Sequence, residues 1–174
     1  SLASFGLPVI LPRTPSNHGE HRKSVGGRSI TTESDNLDLQ IAESVRRVLQ
    51  ETAINDQLEW IIPHDDPFTR FTLSGVDCIL THGHKIEKNP EAGVVAHHHA
   101  MLNEGYNPKI YFMGHKHHFL AKELGFGTSM IQSPSQDGGS PYFFNMTGKK
   151  NTPGLLNLLV GRGFKIGYGQ ITML

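Results

Sequence analysis

The 174 residues predict an α/β fold, and three observations carry that prediction. Short runs rich in β-branched and aromatic residues alternate with two stretches whose apolar residues recur every three or four positions. No internal repeat is present, and the length suits one domain able to bury a core of ordinary size. Most of the 11 histidines come in clusters, and three histidine-bearing segments sit where predicted strands stop, the edge at which α/β sheets collect ligands.

The elements follow in order. Pro8 and Pro12 frame Val9-Ile10-Leu11, a brief strand. Residues 13–32 are too rich in Gly, Ser and charge for regular structure. Ser34 or Asp35 serves as N-cap of a helix running to about residue 53. In it Leu37, Ile41, Val45, Val48 and Leu49 share one face, while Arg46, Arg47, Gln50 and Glu51 take the other. Residues 59–62, 68–73 and 76–80 read as strands, separated by Pro63, Pro67 and a Ser74-Gly75 turn. Asn89-Pro90 reads as N-cap and first residue of a second helix that ends near Gly105. Residues 110–113, 119–124 and 129–132 are further strands, 133–141 is a loop, and residues 155–174 form a terminal hairpin.

Composition excludes several classes. Sixteen basic residues balance sixteen acidic ones, which argues against a module that binds nucleic acid by phosphate neutralisation alone. A single cysteine cannot close an internal disulfide. No apolar run approaches the roughly 18 residues that a membrane span needs. A cytoplasmic setting is expected, with no membrane partner.

Three histidine-bearing segments carry the chemistry. Ser16-Asn17-His18-Gly19-Glu20 follows the first strand, Thr81-His82-Gly83-His84 follows residues 76–80, and Gly114-His115-Lys116-His117-His118 follows residues 110–113. On an extended backbone the period of two sends His82 with His84, and His115 with His117, into one pocket, while His118 points away. Imidazoles converging with an asparagine oxygen make a site for Mn, Fe, Zn or Ni. Such metals activate water and neutralise charge on a phosphoryl group.

These segments, SNHGE, THGH and GHKH, resemble the third, fourth and fifth motifs of the calcineurin-like metallophosphoesterases, in the family's order. The resemblance spans residues 9–174. It implies a sandwich of two mixed β-sheets flanked by helices, of which this chain supplies the later half. It also implies hydrolysis of a phosphomonoester or phosphodiester by metal-activated water, with two divalent cations in the complete enzyme. By the same resemblance Asn17, His82 and His115 are ligands of the second metal, and His117 is a ligand of the first. His18 bonds the scissile phosphate and protonates the leaving group. His84 is a substrate-binding residue of the pocket. Ser16 replaces the family's usual Gly, and Glu20 is displaced by Gly19 from the acidic position. Arg13, Arg22, Lys23 and Arg28 surround the Asn-His segment, and Arg22 is the cation expected to draw a phosphate ester there.

The family's DxH and GDxxD motifs have no counterpart, since residues 1–19 contain no Asp or Glu. Two divalent cations roughly 3.5 Å apart repel by a Coulomb term on the order of 20 kcal/mol at an effective dielectric near 20, which only anionic ligands offset. The expectation is therefore the C-terminal part, residues 1–174, of a single phosphoesterase domain whose N-terminal metal motifs are missing. Such a piece binds at most one metal, weakly, with impaired activity. Its expected partners are a phosphate-ester substrate (a nucleotide or nucleic acid among them) and either a second copy or the missing N-terminal part. The alternative is a non-catalytic scaffold or interaction protein that retains the fold. His97-His98-His99 is expected as partly exposed helix histidines, Asp65-Asp66 as a solvated turn, and Cys78 as a buried small hydrophobe. Tyr142, Phe143 and Phe144 are expected to anchor the loop before them.

Overall fold

A computed structural model describes residues 6–24, 27–86, 89–137, 141, 144, 145, 148 and 152–173. The chain is α/β, divided into two compact units: Ser1–Phe71 with Leu80–His82, and Thr72–Ile79 with Gly83–Leu174.

The first unit is a β-α-β crossover. Strand β1 (Val9–Pro12) lies parallel to β2 (Leu58–Ile61), in register from Val9↔Leu58 to Pro12↔Ile61, and Arg13 N donates to Ile61 O at 2.9 Å beyond the last pair. Parallel neighbours need a long connection, which helix α1 (Leu37–Gln50) supplies. Its N-cap is Asn36, not Ser34 or Asp35. Those two belong to a separate 3-10 turn (Glu33–Asp35), and only Asn36 has both the extended backbone and the side chain that reaches Asp38 N. The helix also stops short of residue 53, at Gln50.

Its apolar stripe is real but faces outward. The buried residues are Leu39 and Ala42, whereas Leu37, Ile41, Val45 and Val48 are 48%, 54%, 44% and 69% exposed. Spacing alone places residues on a common face without saying which face is covered.

The second unit rests on a sheet in the order β3-β4-β5-β7-β6. Strands β3 (Phe68–Leu73) and β4 (Val76–Thr81) enter it through Thr72–Leu73 and Val76–Ile79, joined by the expected Ser74-Gly75 turn, where both residues have positive φ. Strand β5 (Ile110–Met113) runs parallel to β7 (Thr128–Gln132), and β6 (Leu120–Gly125) is antiparallel to β7. The sheet is therefore mixed. All five residues of β7 are buried, as suits a strand flanked on both sides.

Helix α2 (Pro90–Asn103) begins as its sequence indicated, with Asn89 accepting from Ala92 N and Pro90 in the first turn. It buries Val94, His98 and Met101, one stripe of the helix. His97 is half-buried and His99 exposed, as expected of partly exposed helix histidines, whereas His98, at 2% exposure, corrects that expectation because it lies on the covered stripe with Val94 and Met101. Strands β8 (Leu156–Val160) and β9 (Tyr168–Met173) form the terminal antiparallel hairpin. Tyr142 and Phe143 lie outside the described residues, and Phe144 is 46% exposed. No helix of the described residues is long and apolar enough to cross a membrane.

Candidate functional site

The Asn-His segment is built against the start of α1. Asn36, 1% exposed, donates through Nδ2 to Ser16 O at 2.8 Å while its Oδ1 accepts from Asp38 N at 3.1 Å. Ser16 Oγ donates to the Asp38 carboxylate and accepts from His18 N at 3.1 Å. Leu37 N donates to Gly19 O at 2.9 Å. A Cβ on Gly19 would come 2.2 Å from Asn36 Oδ1, so only glycine lets the segment approach its anchor. These bonds satisfy the first N–H groups of the helix and hold Asn17 and His18 in one conformation.

The anchor was hidden in the string. Asn36 sits directly before the periodic run, which is itself a cap signal. The Ser16–Asp38 pair has no signal of its own.

Residue His82 follows β4 and meets this segment. Its Nε2 lies 2.8 Å from Asn17 Oδ1. Two donors each about 2.1 Å from one cation stand about 3 Å apart when they subtend a right angle, so this separation fits a shared metal. The exposed ring of His18 has its centroid 6.3 Å from that of His82, edge to face. Asn17, His18 and His82 thus come together within the first unit. Arg22 is in the same unit, held by Glu20 through Nη2 at 2.6 Å and Nε at 3.0 Å. Glu20, with no role expected of it, fixes Arg22 and offsets its charge.

In the second unit the rings of His84 and His115 lie 6.4 Å apart between centroids. Gly83 has φ +96°, and a Cβ there would meet Met113 Cγ at 2.7 Å, so the turn between His82 and His84 requires glycine. His115 and His117 have φ values of +67° and +58°. The left-handed region is costly for residues with a Cβ, by roughly 1–2 kcal/mol each. Lys116 N donates to Gly114 O at 2.8 Å, and His118 Nδ1 donates to Lys116 O at 2.9 Å. Gln132, 1% exposed at the end of β7, donates to His118 O at 2.8 Å and ties this tight turn to the sheet. Nothing in the sequence marks Gln132.

Neither histidine pair lies on the extended backbone expected of it. Gly83, His115 and His117 all adopt positive φ, so a period of two has no meaning there. His115 is half-buried and His117 exposed.

No family model matches the chain, and no curated protein matches it. Among solved structures it is similar to Vps29 from Entamoeba histolytica. The wild-type protein complexed with Zn²⁺ is 13% identical, with 87% of this chain and 84% of that one covered and a TM-score of 0.43. A single mutant is 12% identical over 95% and 97%, with a TM-score of 0.43. A double mutant is 11% identical over 95% and 98%, with a TM-score of 0.47. Such values describe a broad likeness of outline and assign no family.

Outside the histidine segments, Cys78 is fully buried and its thiol is pushed up to about 12, chiefly by burial and then by Asp77. Asp65 Oδ1 accepts from Glu33 N at 2.8 Å, and Asp66 Oδ1 from Phe68 N at 2.8 Å, so the acidic pair organises backbone turns.

Proposed function

We propose that this protein is a metal-dependent phosphoesterase whose first-unit ligands are Asn17 and His82. The observation that carries the reading is the 2.8 Å separation of Asn17 Oδ1 and His82 Nε2. One neutral oxygen and one imidazole nitrogen suit a borderline divalent cation such as Mn, Fe, Zn or Ni. Such a cation, when bound, polarises a phosphoryl oxygen and lowers the pKa of water.

The chain's own residues supply the rest. Asn17 orients its carbonyl oxygen because the loop that carries it is bonded to Asn36 and Asp38. In this reading His18, whose exposed ring lies beside that of His82, hydrogen-bonds a phosphate oxygen and gives a proton to the leaving group. Arg22 spends Nε and Nη2 on Glu20, which steadies it, and in this reading its Nη1 group donates to an approaching ester. The ligand roles of His115 and His117, and the substrate role of His84, rest on the GHKH and THGH motifs. A phosphodiester or nucleotide is the favoured substrate class.

Calorimetric titration with Mn²⁺ or Zn²⁺, paired with hydrolysis of bis-p-nitrophenyl phosphate, tests the reading. Metal uptake that disappears in Asn17→Ala and His82→Ala, with turnover that disappears in His18→Ala, supports it. Uptake indifferent to Asn17 and His82 overturns it, and neither uptake nor turnover leaves a non-catalytic scaffold.

A further inference from the structure

A groove lined by none of the three histidine-bearing segments runs along the polar flank of α1, with His64 at its border. It consists of two adjoining concavities of about 450 and 530 Å³ that share Glu43 and Ile62. Volumes of this size suit a small molecule better than a polypeptide. From Gln40 to Gln50 the helix runs roughly 15 Å at about 1.5 Å per residue, enough for an extended mononucleotide.

The two ends differ in chemistry. At one end stands Arg47, whose guanidinium shares with that of Arg46 the Glu43 carboxylate at the junction. Arg46 Nε donates to it at 2.8 Å, whereas Arg47 reaches it only through Nε at 3.4 Å. One carboxylate between two cations leaves a net positive charge. Arg47, 74% exposed, keeps the terminal nitrogens of its planar fork for an anion that accepts two hydrogen bonds, such as phosphate. At the other end stand Trp60 and Leu58, with the side-chain amides of Asn55 and Gln50. Arg13 lies 5.4 Å over the Trp60 ring and supports it. An indole beside two amides, each offering a donor and an acceptor, suits the face and edge of a heterocycle.

We propose that this groove binds a nucleoside monophosphate, with its phosphate on Arg47 and its base against Trp60. None of these residues belongs to the hydrolytic reading, and the site stands without it.

Trp60 is the only tryptophan, so its emission reports on the groove directly. The intact chain is titrated with adenosine monophosphate, adenosine and inorganic phosphate, following Trp60 emission and, independently, the heat of binding. Saturable quenching by the monophosphate is expected, with adenosine and phosphate each weaker by about tenfold or more. Arg47→Gln, at an exposed helix position, weakens the monophosphate by about tenfold and leaves adenosine unchanged. Asn55→Ala weakens the monophosphate and adenosine alike, by about threefold or more. No saturable response to the monophosphate overturns the proposal. So does equal affinity for inorganic phosphate, or an Arg47→Gln variant of unchanged circular dichroism that binds as the parent does.

Discussion

His82 Nε2 lies 2.8 Å from Asn17 Oδ1 across 65 residues of sequence. The amide oxygen can only accept, so Nε2 carries the proton of this contact. Holding a cation through both atoms requires the imidazole proton on Nδ1, leaving Nε2 and Oδ1 as the two ligands. Alanine at either position is expected to weaken Mn²⁺ or Zn²⁺ uptake by about tenfold or more, with the double variant little worse than each single one, because the two act as a unit. Calorimetry on the three variants checks this. Additive losses would place the two residues at separate sites.

Gly19 is expected to tolerate no side chain. An alanine Cβ would displace Asn36 Oδ1, breaking the cap on Asp38 N together with the bond to Ser16 O. Gly19→Ala should lower stability by about 1–3 kcal/mol, and Asn36→Ala by about as much, read as urea midpoints. Both should weaken metal uptake without touching a ligand.

Stability should fall with acid through His98. Burial first, then Lys109 and His99, hold its imidazole below the ordinary value of 6.5. Among the described residues Nδ1 has no partner, Nε2 has Thr128 Oγ1 at 3.5 Å, and the ring packs against Phe126 and Tyr111, with no carboxylate to pair a charge. The unfolded chain therefore binds this proton more readily. The contribution is steady above the unfolded value and is lost as pH falls below it, levelling once the folded state also protonates. Comparing urea midpoints of the parent and His98→Leu across that range isolates the effect. A difference independent of pH would contradict it.

Glu43 should titrate at about 2 rather than 4.5, chiefly because Arg46 donates to its carboxylate, with Arg47 adding to the effect. Its small stabilising contribution is complete above the ordinary carboxylate value and fades as pH falls towards about 2. The cluster is exposed, so salt should move the midpoint upward. Carboxyl NMR titration at low and high ionic strength measures this, and a midpoint indifferent to Arg46→Gln would refute the cause.

Cys78, with its thiol near 12, should ignore thiol reagents in the native protein and react once denaturant unfolds the second unit. Rapid native labelling would mean that β4 opens.

Much of the fold was legible because it is local. The strand of 110–113, the Ser74-Gly75 turn and the Asn89-Pro90 helix start follow from properties of neighbours in sequence, and each was found where expected. The candidate site was legible only as a set of residue types at strand ends. Ser34, Asp35 and Asn36 are all cap-forming residues, so local sequence leaves the start of α1 open by one or two positions, and a strand of mixed polarity carries no mark of the role of Gln132. At His115 and His117 regular geometry was assumed where the backbone turns left-handed.

Alone, the sequence determined the α/β class, the order of elements and the placing of histidines just after strands, since these rest on propensity, spacing and turn chemistry. The tertiary structure decided that Asn17 meets His82, that the stripe of α1 faces outward while His98 goes inward, and that Arg46 and Arg47 converge beside Trp60's groove. Periodicity reports which side chains share a face of one element. Which face is covered, and which polar atoms then meet, depends on packing between segments far apart in the chain.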